Sequence, residues 1–263
     1  MTGEDRPTPA APSGAEPFAL FLELYGSLPR AAPGSDDCTR RALDLLPAAD
    51  RRAVLDIGCG PGAQALSLAE ALPDARLVAF DILPPMAAEA SRRCSEAGVL
   101  DRAIVAVADM AAPPVSAAAM DLIWCEGAIY NLGVAAALTS WKALLSDNGC
   151  IAFTEAVWLS DDPDDEVREW WTTEYPAITD VPGVTAAITA AGYRLIASFV
   201  LPPDTWWNGY YRPLQSRIPA FRERHAGDSA ASEVADAAER EISMFRRFGD
   251  AYGYAFFIVR PDG

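Results

Sequence analysis

The sequence predicts an α/β domain built on a mostly parallel sheet with helices on both faces. Three observations predict it. Short apolar runs alternate with helical stretches from residue 36 onward, a glycine-rich turn follows the first run, and 51% of the 263 residues are hydrophobic. Strand–helix alternation of this kind is typical of a parallel sheet covered on both faces. The length suits one such domain with modest insertions.

The elements of the first half follow from the apolar runs and their breakers. Asp36 and Asp37 can cap a helix that ends before Pro47, and Pro84 fits the first turn of a later helix. The predicted strands are 53–57, 76–81, 103–108, 120–125 and 150–158, and the helices between them cover 64–72, 84–94 and 135–145. A turn is predicted at residues 147–149.

Two later apolar runs, 193–201 and 252–259, complete a sheet of seven predicted strands. The segments between strands at about 160–192 and 203–248 exceed ordinary connections. We therefore expect them to be helical cap insertions in a single domain that spans 18–263. Residues 1–17, rich in Pro, Ala and Gly, are predicted to be a flexible lead.

The charge balance narrows the classes of partner. The chain carries 21 basic and 37 acidic residues, a formal net charge of −16. Binding to nucleic acid or to an anionic membrane needs a basic surface, so neither partner is expected. No apolar stretch is long enough to span a bilayer, and the first residues lack a signal pattern, so the expected location is cytoplasmic. Five cysteines without CxxC spacing and a single histidine, His225, predict neither a disulfide framework nor a metal site.

The strongest motif is the segment 54–62, Val-Leu-Asp-Ile-Gly-Cys-Gly-Pro-Gly. A strand ends in a glycine-rich turn that opens a helix, so that the backbone can approach a ligand closely and the helix start offers free N–H groups. From Gly58 the turn also satisfies the dinucleotide fingerprint, with Asp81 at the spacing of a ribose-binding acid. Asp56 favours a different ligand, because a carboxylate there repels a pyrophosphate and suits a cationic amino group.

Together with acids at the ends of the next two strands, this segment resembles the class I S-adenosylmethionine-dependent methyltransferases. The resemblance covers about residues 36–160 and implies a Rossmann-like fold whose last strand is antiparallel. It implies S-adenosylmethionine as the cofactor. The glycine turn would wrap the methionine part, Asp81 would accept the ribose hydroxyls, and Ile82 and Asp109 would meet the adenine. The implied cofactor-binding residues are Asp56, Gly58, Cys59, Gly60, Gly62, Asp81, Ile82, Asp109, Met110 and Glu126.

The segment 121–133, which contains Glu-Gly-Ala-Ile-Tyr-Asn at 126–131, resembles a bacterial subgroup of small-molecule methyltransferases. Residues 206–214 fit the same subgroup. The Asn/Asp-Pro-Pro-Tyr signature of enzymes that methylate amides and nucleobases is missing from the sequence. The resemblance makes Glu126 and Tyr130 candidate catalytic residues, with His225 as a weaker candidate base. The candidate acceptor-binding residues are Tyr130, Asn131, Trp206, Trp207 and Tyr210, the aromatic ones having core packing as the alternative.

The predicted function is methyl transfer from S-adenosylmethionine to a small-molecule acceptor of the cationic or amine-bearing class. The acceptor class is suggested by residues 155–180, where nine acids stand against one arginine. They predict either a negative rim that attracts a cation or a solvated acidic surface. The alternatives are an NAD-dependent oxidoreductase and a non-catalytic S-adenosylmethionine-binding protein. The aromatic-rich insertions are a candidate surface for a homodimer.

Overall fold

The computed structural model describes residues 17–26 and 28–262. Their strands are β1 Ala53–Ile57, β2 Arg76–Asp81, β3 Ala103–Val107, β4 Met120–Cys125, β5 Leu145–Trp158, β6 Thr179–Asp180, β7 Tyr193–Val200 and β8 Tyr252–Pro261. They form one sheet in the order β3-β2-β1-β4-β5-β8-β7, and β6 pairs with β5 beside this path. The five first strands are parallel, and β8 is antiparallel to both neighbours. The predicted fold class is confirmed, with the short β6 as an addition.

Ten α-helices of the described residues surround this sheet, besides short 3-10 helices at Ile129–Asn131 and Lys142–Leu144. They are α1 Pro17–Tyr25, α2 Asp36–Asp44, α3 Ala63–Ala71, α4 Pro84–Glu96, α5 Val134–Trp141, α6 Asp165–Glu174, α7 Val181–Ala190, α8 Asp204–Trp206, α9 Arg212–Arg224 and α10 Ser229–Phe248. Trp207–Tyr211 is a π-helical turn that joins α8 to α9, so that one continuous helix covers 204–224. None of the described helices is long and apolar enough to cross a membrane.

Several predicted boundaries need correction. The cap of α2 is Ser35, whose hydroxyl accepts from the Cys38 amide, while the predicted caps Asp36 and Asp37 occupy the first turn. Helix α5 ends at Trp141, and β5 begins at residue 145, before the predicted turn at 147–149. The turn is present as an irregularity in the pairing of β4 with β5. The predicted lead falls almost wholly on residues 1–16, outside the described residues, and α1 begins at Pro17.

Three apolar clusters hold the molecule together. One lies under α2, α3 and α4 on one face of the sheet, and one lies under α5 and α7 on the other. The third is an aromatic cluster that joins α1, α6, α9 and α10 to the sheet at Ala156 and Tyr252. The segment 160–192 therefore has two parts, because α6 joins the aromatic cluster whereas α7 packs on the sheet through Val184 and Ile188. The aromatic cluster lies beyond the carboxyl end of β5, where open α/β sheets bind ligands.

Candidate functional site

The turn after β1 is bound to the end of β2 by backbone hydrogen bonds. The amides of Gly58 and Cys59 both donate to the carbonyl oxygen of Phe80, each at 2.9 Å. The Gly60 amide donates to Asp81 Oδ2 at 2.9 Å. The carboxylate of Asp81, at the end of β2, thus fixes the glycine turn that follows β1.

Glycine is required in this turn for both conformation and space. Gly58 and Gly62 have φ values of +69° and +90°, which side chains rarely adopt. A Cβ on Gly58 would lie 2.5 Å from the Cβ of Ala128, and one on Gly62 would lie 2.8 Å from Ala90. The turn therefore lies directly against the β4 loop and α4, with no room for side chains between them.

We expect Gly58→Ala to weaken both the fold and ligand binding at this turn. Gly98 is the matched control, because it has the same φ of +69° but nothing within 4 Å of a Cβ placed on it. Gly98→Ala should cost about 1 kcal/mol of stability from the left-handed backbone alone. Gly58→Ala adds a steric clash, so its midpoint of chemical denaturation should fall further. Equal midpoints for the two variants would contradict the close approach to Ala128.

A cavity of about 490 Å³ opens beside the turn, and we call it the glycine-turn cavity. Of the predicted site residues, Gly58, Cys59, Gly60, Asp81, Ile82, Asp109, Met110, Glu126, Tyr130 and Asn131 line it. Asp56 and Gly62 do not. Three of the described lining residues are acidic and none is basic. This cavity is therefore suited to a cationic ligand.

Asp56 lies behind the glycine turn and is almost fully buried. Its side chain is 1% exposed, and its Oδ2 atom has no hydrogen-bond partner among the described residues. Burial, together with the nearby carboxylates Glu126 and Asp81, raises the pKa of Asp56 well above its usual range. A buried carboxyl group without a partner is costly, so this position favours a donor or a positive charge supplied by a ligand.

Asp81 is the acceptor group at the end of β2. Its Oδ2 accepts from Gly60 and its Oδ1 accepts from the Leu83 amide at 2.9 Å, which leaves lone pairs on both oxygens. Burial raises its pKa against the opposing effect of these amides. Next to it, the apolar Ile82 side chain is 60% exposed and lines the cavity, and the exposed Asp109 lies farther along the wall.

Glu126 is held by three donors. Its Oε1 accepts from the Thr39 hydroxyl at 2.7 Å and from the Trp124 indole at 2.8 Å, and its Oε2 accepts from Arg30 at 3.2 Å. Arg30 also donates to Asp36 at 2.6 Å. Burial raises the pKa of Glu126 against the opposing effect of Arg30. With both oxygens engaged, the carboxyl group anchors the segment before α2, and its predicted role as a catalytic proton acceptor loses support.

A second cavity, also of about 490 Å³, adjoins the first and is the aromatic cavity. Its aromatic lining residues are Phe21, Tyr25, Tyr130, Trp170, Trp171, Tyr175, Trp206, Tyr210, Tyr211 and Tyr254, and its charged ones are Glu174, Arg240 and Glu241. The two cavities share the walls Phe21, Tyr25, Ala31, Ala32, Gly127 and Tyr130. Two ligands bound side by side would meet at these shared walls.

The predicted acceptor-binding aromatics are divided between cavity and core. Trp206 and Tyr210 line the aromatic cavity, whereas Trp207 does not. The Trp207 ring instead contacts Phe245 edge-on, with centroids 5.7 Å apart, and Arg246 lies over it. The structure therefore places Trp207 in a packing position outside the aromatic cavity, the arrangement that was the alternative to an acceptor contact. His225 lines neither cavity. Its Nε2 atom lies 2.8 Å from Glu23 Oε2 instead.

Sequence reasoning missed three contributors to these cavities. Helix α1 supplies Phe21 to both walls, Arg30 fixes Glu126, and Glu241 of α10 faces the aromatic cavity. A lone arginine in a segment of Pro, Ala and Gly carries no signal of burial. Glu241 interrupts the apolar face of a long amphipathic helix, and that interruption was the one available signal.

Glu155 is a further buried carboxyl group near the end of β5. It is 3% exposed, and its Oε2 has no partner among the described residues, while Oε1 accepts from the Ala156 amide at 2.9 Å. Burial raises its pKa to about 7 against the opposing effects of the Ala156 amide and the Tyr175 hydroxyl. The folded protein therefore holds a proton on Glu155 over a range where the unfolded chain has lost it.

This difference predicts a pH-dependent stability. The contribution of Glu155 is greatest below about pH 4.5, falls as the pH rises to about 7, and is constant above that. Glu155→Gln removes the titration and keeps an acceptor for Ala156. In the absence of ligands, the free energy of unfolding of the variant relative to the wild type should increase by about 3 kcal/mol from pH 4.5 to pH 8, measured by urea unfolding. If the free energies of unfolding of the variant and the wild type differ by the same amount at both pH values, the pKa of Glu155 is not raised.

Comparison with known proteins finds a family match for the part of the chain around the glycine turn. Residues 54–149 match the family described as a methyltransferase domain. The chain is 34% identical over 122 residues to trans-aconitate 2-methyltransferase of Methylobacterium nodulans, which covers 45% of each chain. It is 33% identical over 120 residues to aklanonic acid methyltransferase DauC of a Streptomyces species, which covers 45% of this chain and 54% of that one. The chain thus spans about half the length of these curated relatives.

The fold has solved counterparts over nearly the whole chain. One is an S-adenosylmethionine-dependent methyltransferase of Geobacter sulfurreducens in complex with S-adenosyl-L-homocysteine, with a TM-score of 0.80 and 21% identity. That likeness covers 93% of this chain and 98% of the other. At this identity it shows the fold and not the substrate.

Proposed function

We propose that the protein transfers a methyl group from S-adenosylmethionine to a small molecule. The premise is its fold, which is shared with S-adenosylmethionine-dependent methyltransferases, together with the match of residues 54–149 to the family described as a methyltransferase domain. The observation that carries the proposal is the charge of the glycine-turn cavity. Its described walls hold the carboxylates of Asp81 and Asp109 and no basic residue. Glu126 also lines the cavity but is paired with Arg30, and Asp56 lies buried behind the turn. A dinucleotide brings a negative pyrophosphate into such a turn, whereas S-adenosylmethionine brings a sulfonium and an ammonium group.

The residues at the cavity fit this cofactor. The glycine turn leaves a cradle that a Cβ would fill, and Asp56 has a buried oxygen without a partner for which an ammonium group or a bridging water is suitable. Asp81 has free lone pairs for a pair of hydroxyl groups, and the exposed Ile82 offers an apolar surface for a flat ring. When bound, S-adenosylmethionine supplies a methyl group already activated by its sulfonium.

The acceptor is proposed to occupy the aromatic cavity and to be cationic or amine-bearing. The cavity adjoins the glycine-turn cavity through shared walls, as transfer between two bound molecules requires. The methyltransferase-domain match ends at residue 149, before the segments that supply seven of the ten aromatic lining residues, so the proposed acceptor class rests on this chain's own side chains. Electron-rich rings together with Glu174 and Glu241 favour a positive charge.

Most of the acidic residues predicted to form a negative rim lie outside both cavities. Asp161, Asp162, Asp164 and Asp165 are exposed and line neither cavity. Asp164 caps α6 through the Glu166 amide, so part of the acidic run has a local structural role. The acid of this segment that reaches the aromatic cavity is Glu174, at the end of α6.

The residues of this chain would orient the acceptor toward the methyl group and exclude water. Tyr130 and Asn131 both line the glycine-turn cavity, and the Asn131 amide donates to the Ala128 carbonyl at 2.9 Å, which fixes the loop after β4. Tyr130 also lines the aromatic cavity, so it lies where the acceptor and the methyl group would meet. We therefore propose both residues as acceptor-positioning groups. A protonated amine must lose its proton before transfer, and the carboxylates of the aromatic cavity are better placed to take it than Glu126.

Calorimetry with two ligands tests the cofactor assignment against the oxidoreductase alternative. The wild-type protein should bind S-adenosylhomocysteine with one site per chain and should give no binding heat with NAD⁺ or NADH. Saturable binding of a nicotinamide cofactor, without binding of S-adenosylhomocysteine, would reject the proposal.

The finer predictions from the sequence stand as part of the same proposal. The segment 126–131, which carries the subgroup's motif, contributes Gly127 and Tyr130 to both cavities, and this position supports the proposed assignment to the small-molecule subgroup. The net charge of −16 supports small molecules rather than nucleic acids as partners. A homodimer and a cytoplasmic location remain predictions from the sequence.

A further inference from the structure

The aromatic cavity contains negative charge that the described residues do not neutralise. Glu241 and Glu174 both line it, and neither takes part in an ion pair of the described residues. Arg240 also lines the cavity, yet it is exposed and forms no ion pair within that same part of the chain. Glu174 lies at the exposed side, whereas Glu241 lies among the rings, where a carboxylate is unfavourable unless a cation or hydrogen-bond donors offset its desolvation.

Glu241 is surrounded by tyrosine hydroxyl groups. The Tyr211 hydroxyl donates to Glu241 Oε1 at 3.1 Å. The hydroxyl groups of Tyr210 and Tyr25 also stabilise its ionised form, and the rings of these two residues have centroids 6.4 Å apart. The carboxylate is therefore held in one orientation at the wall, with aromatic faces beside it.

We propose that Glu241 and the surrounding aromatic rings form a subsite that binds an alkylammonium group, and that this subsite selects the acceptor. The ring faces attract the positive charge and its alkyl substituents, and the carboxylate supplies the counter-charge. The assignment to the acceptor rests on the proposed methyl transfer. The binding of an alkylammonium ion does not rest on methyl transfer, so the subsite and the proposed function can fail separately.

The other titratable groups at this cavity affect the strength of the subsite. Glu174 adds a second negative charge near the exposed side, while Arg240 opposes it. Glu155 lies buried behind Tyr175 and influences the hydroxyl groups of Tyr130 and Tyr254. All the tyrosines that line the cavity are neutral near pH 7, since the usual tyrosine pKa of about 10 lies well above this pH and burial raises it further. Glu241 is the carboxyl group that both lines the cavity and accepts from these hydroxyls.

Cation binding at this subsite should depend on pH. Burial, reinforced by Glu174, raises the pKa of Glu241 to about 7. Below that value the carboxyl group is protonated and offers no counter-charge, so the affinity for an alkylammonium ion should rise as the pH increases from 6 to 8. Glu155 titrates in the same range, and a Glu241 variant separates the two contributions.

The test uses choline and its neutral isostere 3,3-dimethylbutan-1-ol as probes. Trp170, Trp171 and Trp206 line the cavity, so quenching of intrinsic fluorescence reports occupancy without turnover. Choline should bind at least about tenfold more tightly than the isostere at pH 8, since a desolvated cation–π contact contributes on that scale and the Glu241 carboxylate adds a Coulombic attraction that the neutral isostere lacks. Glu241→Gln keeps the acceptor for Tyr211, so it should reduce this preference to what the ring faces supply and remove the part of its pH dependence that Glu241 causes.

Two controls make the result interpretable. Glu233→Gln removes a carboxylate from the exposed side of the same helix and should leave the preference unchanged. Glu241→Asp keeps the charge and should retain a preference for choline that increases with pH. Equal binding of the two probes to the wild type, or an unchanged preference in Glu241→Gln, would overturn the subsite. Calorimetric binding of S-adenosylhomocysteine, measured on the same samples, shows separately whether the proposed function holds.

Discussion

Replacing Asp81 by alanine should reduce the affinity for S-adenosylhomocysteine by more than about 100-fold. Hydrogen bonds to a charged carboxylate contribute about 1.5–3 kcal/mol each, and a ribose offers two hydroxyl groups. The change also removes the acceptors of the Gly60 and Leu83 amides, so the glycine turn loses its tie to β2. Isothermal titration calorimetry measures the effect directly.

The matched control is Asp74→Ala, which removes an exposed carboxylate just before β2. It should bind S-adenosylhomocysteine like the wild type. Circular dichroism and the unfolding midpoint must show that Asp81→Ala is folded, and Asp81→Asn provides a variant of the same size. If both Asp81 variants fold and bind S-adenosylhomocysteine with wild-type affinity, Asp81 does not hold the cofactor.

Replacing Glu126 by alanine should lower the free energy of unfolding by about 3–5 kcal/mol. The change leaves Arg30, whose side chain is 5% exposed, with Asp36 as its remaining ion-pair partner among the described residues, so its buried charge loses the more deeply buried of two partners. It also deprives the Thr39 hydroxyl and the Trp124 indole of their acceptor. Urea unfolding at neutral pH measures the loss.

The comparison variant is Glu96→Ala, which breaks an ion pair with Arg92 on the exposed face of α4. Exposed ion pairs contribute little, so this variant should unfold near the wild-type midpoint. Two similar curves for Glu126→Ala and Glu96→Ala would contradict the role of Glu126 as a buried anchor. Glu126→Gln is also informative: it keeps an acceptor, so methyl transfer by a folded Glu126→Gln protein would argue against a catalytic role for this carboxyl group.

The cofactor side of the molecule was predictable because its signals are local. β1, β2 and β4 have the bounds that their apolar runs predict, since a glycine or an acid ends each run. The polar groups Asp81 and Asp109 follow successive parallel strands, and parallel strands end at the same edge of a sheet. Their convergence on one cavity therefore follows from topology, without any side-chain detail.

The aromatic cavity was not predictable in the same way, because its walls come from elements far apart in the sequence. Tyr25, Tyr130, Trp171, Tyr210 and Glu241 lie on five different segments, and their meeting is a property of tertiary packing. No spacing rule connects them.

Trp207 shows what spacing leaves open. Spacings of three and four residues bring side chains together on a helix, and the rings of Trp207 and Tyr211 do lie edge-on with centroids 5.7 Å apart. Spacing does not say which rings line a cavity: Trp206 and Tyr210 line the aromatic cavity, whereas Trp207 packs against Phe245. Residues 207–211 also form a π-helical turn in which the Arg212 amide donates to the Trp207 carbonyl, five residues back. Such turns are frequent at functional sites, and nothing in the composition predicts them.

The central claim is methyl transfer to a small amine acceptor, and one assay tests it most directly. The purified wild-type protein is incubated at pH 8 with S-adenosylmethionine labelled in its methyl group, and with a panel of primary, secondary and tertiary amines matched by neutral isosteres. We predict labelled product from one or more amines and none from their isosteres. Tight binding of S-adenosylhomocysteine without transfer to any amine would contradict the account and favour a non-catalytic binding protein. Transfer to the neutral isosteres alone would contradict the proposed acceptor.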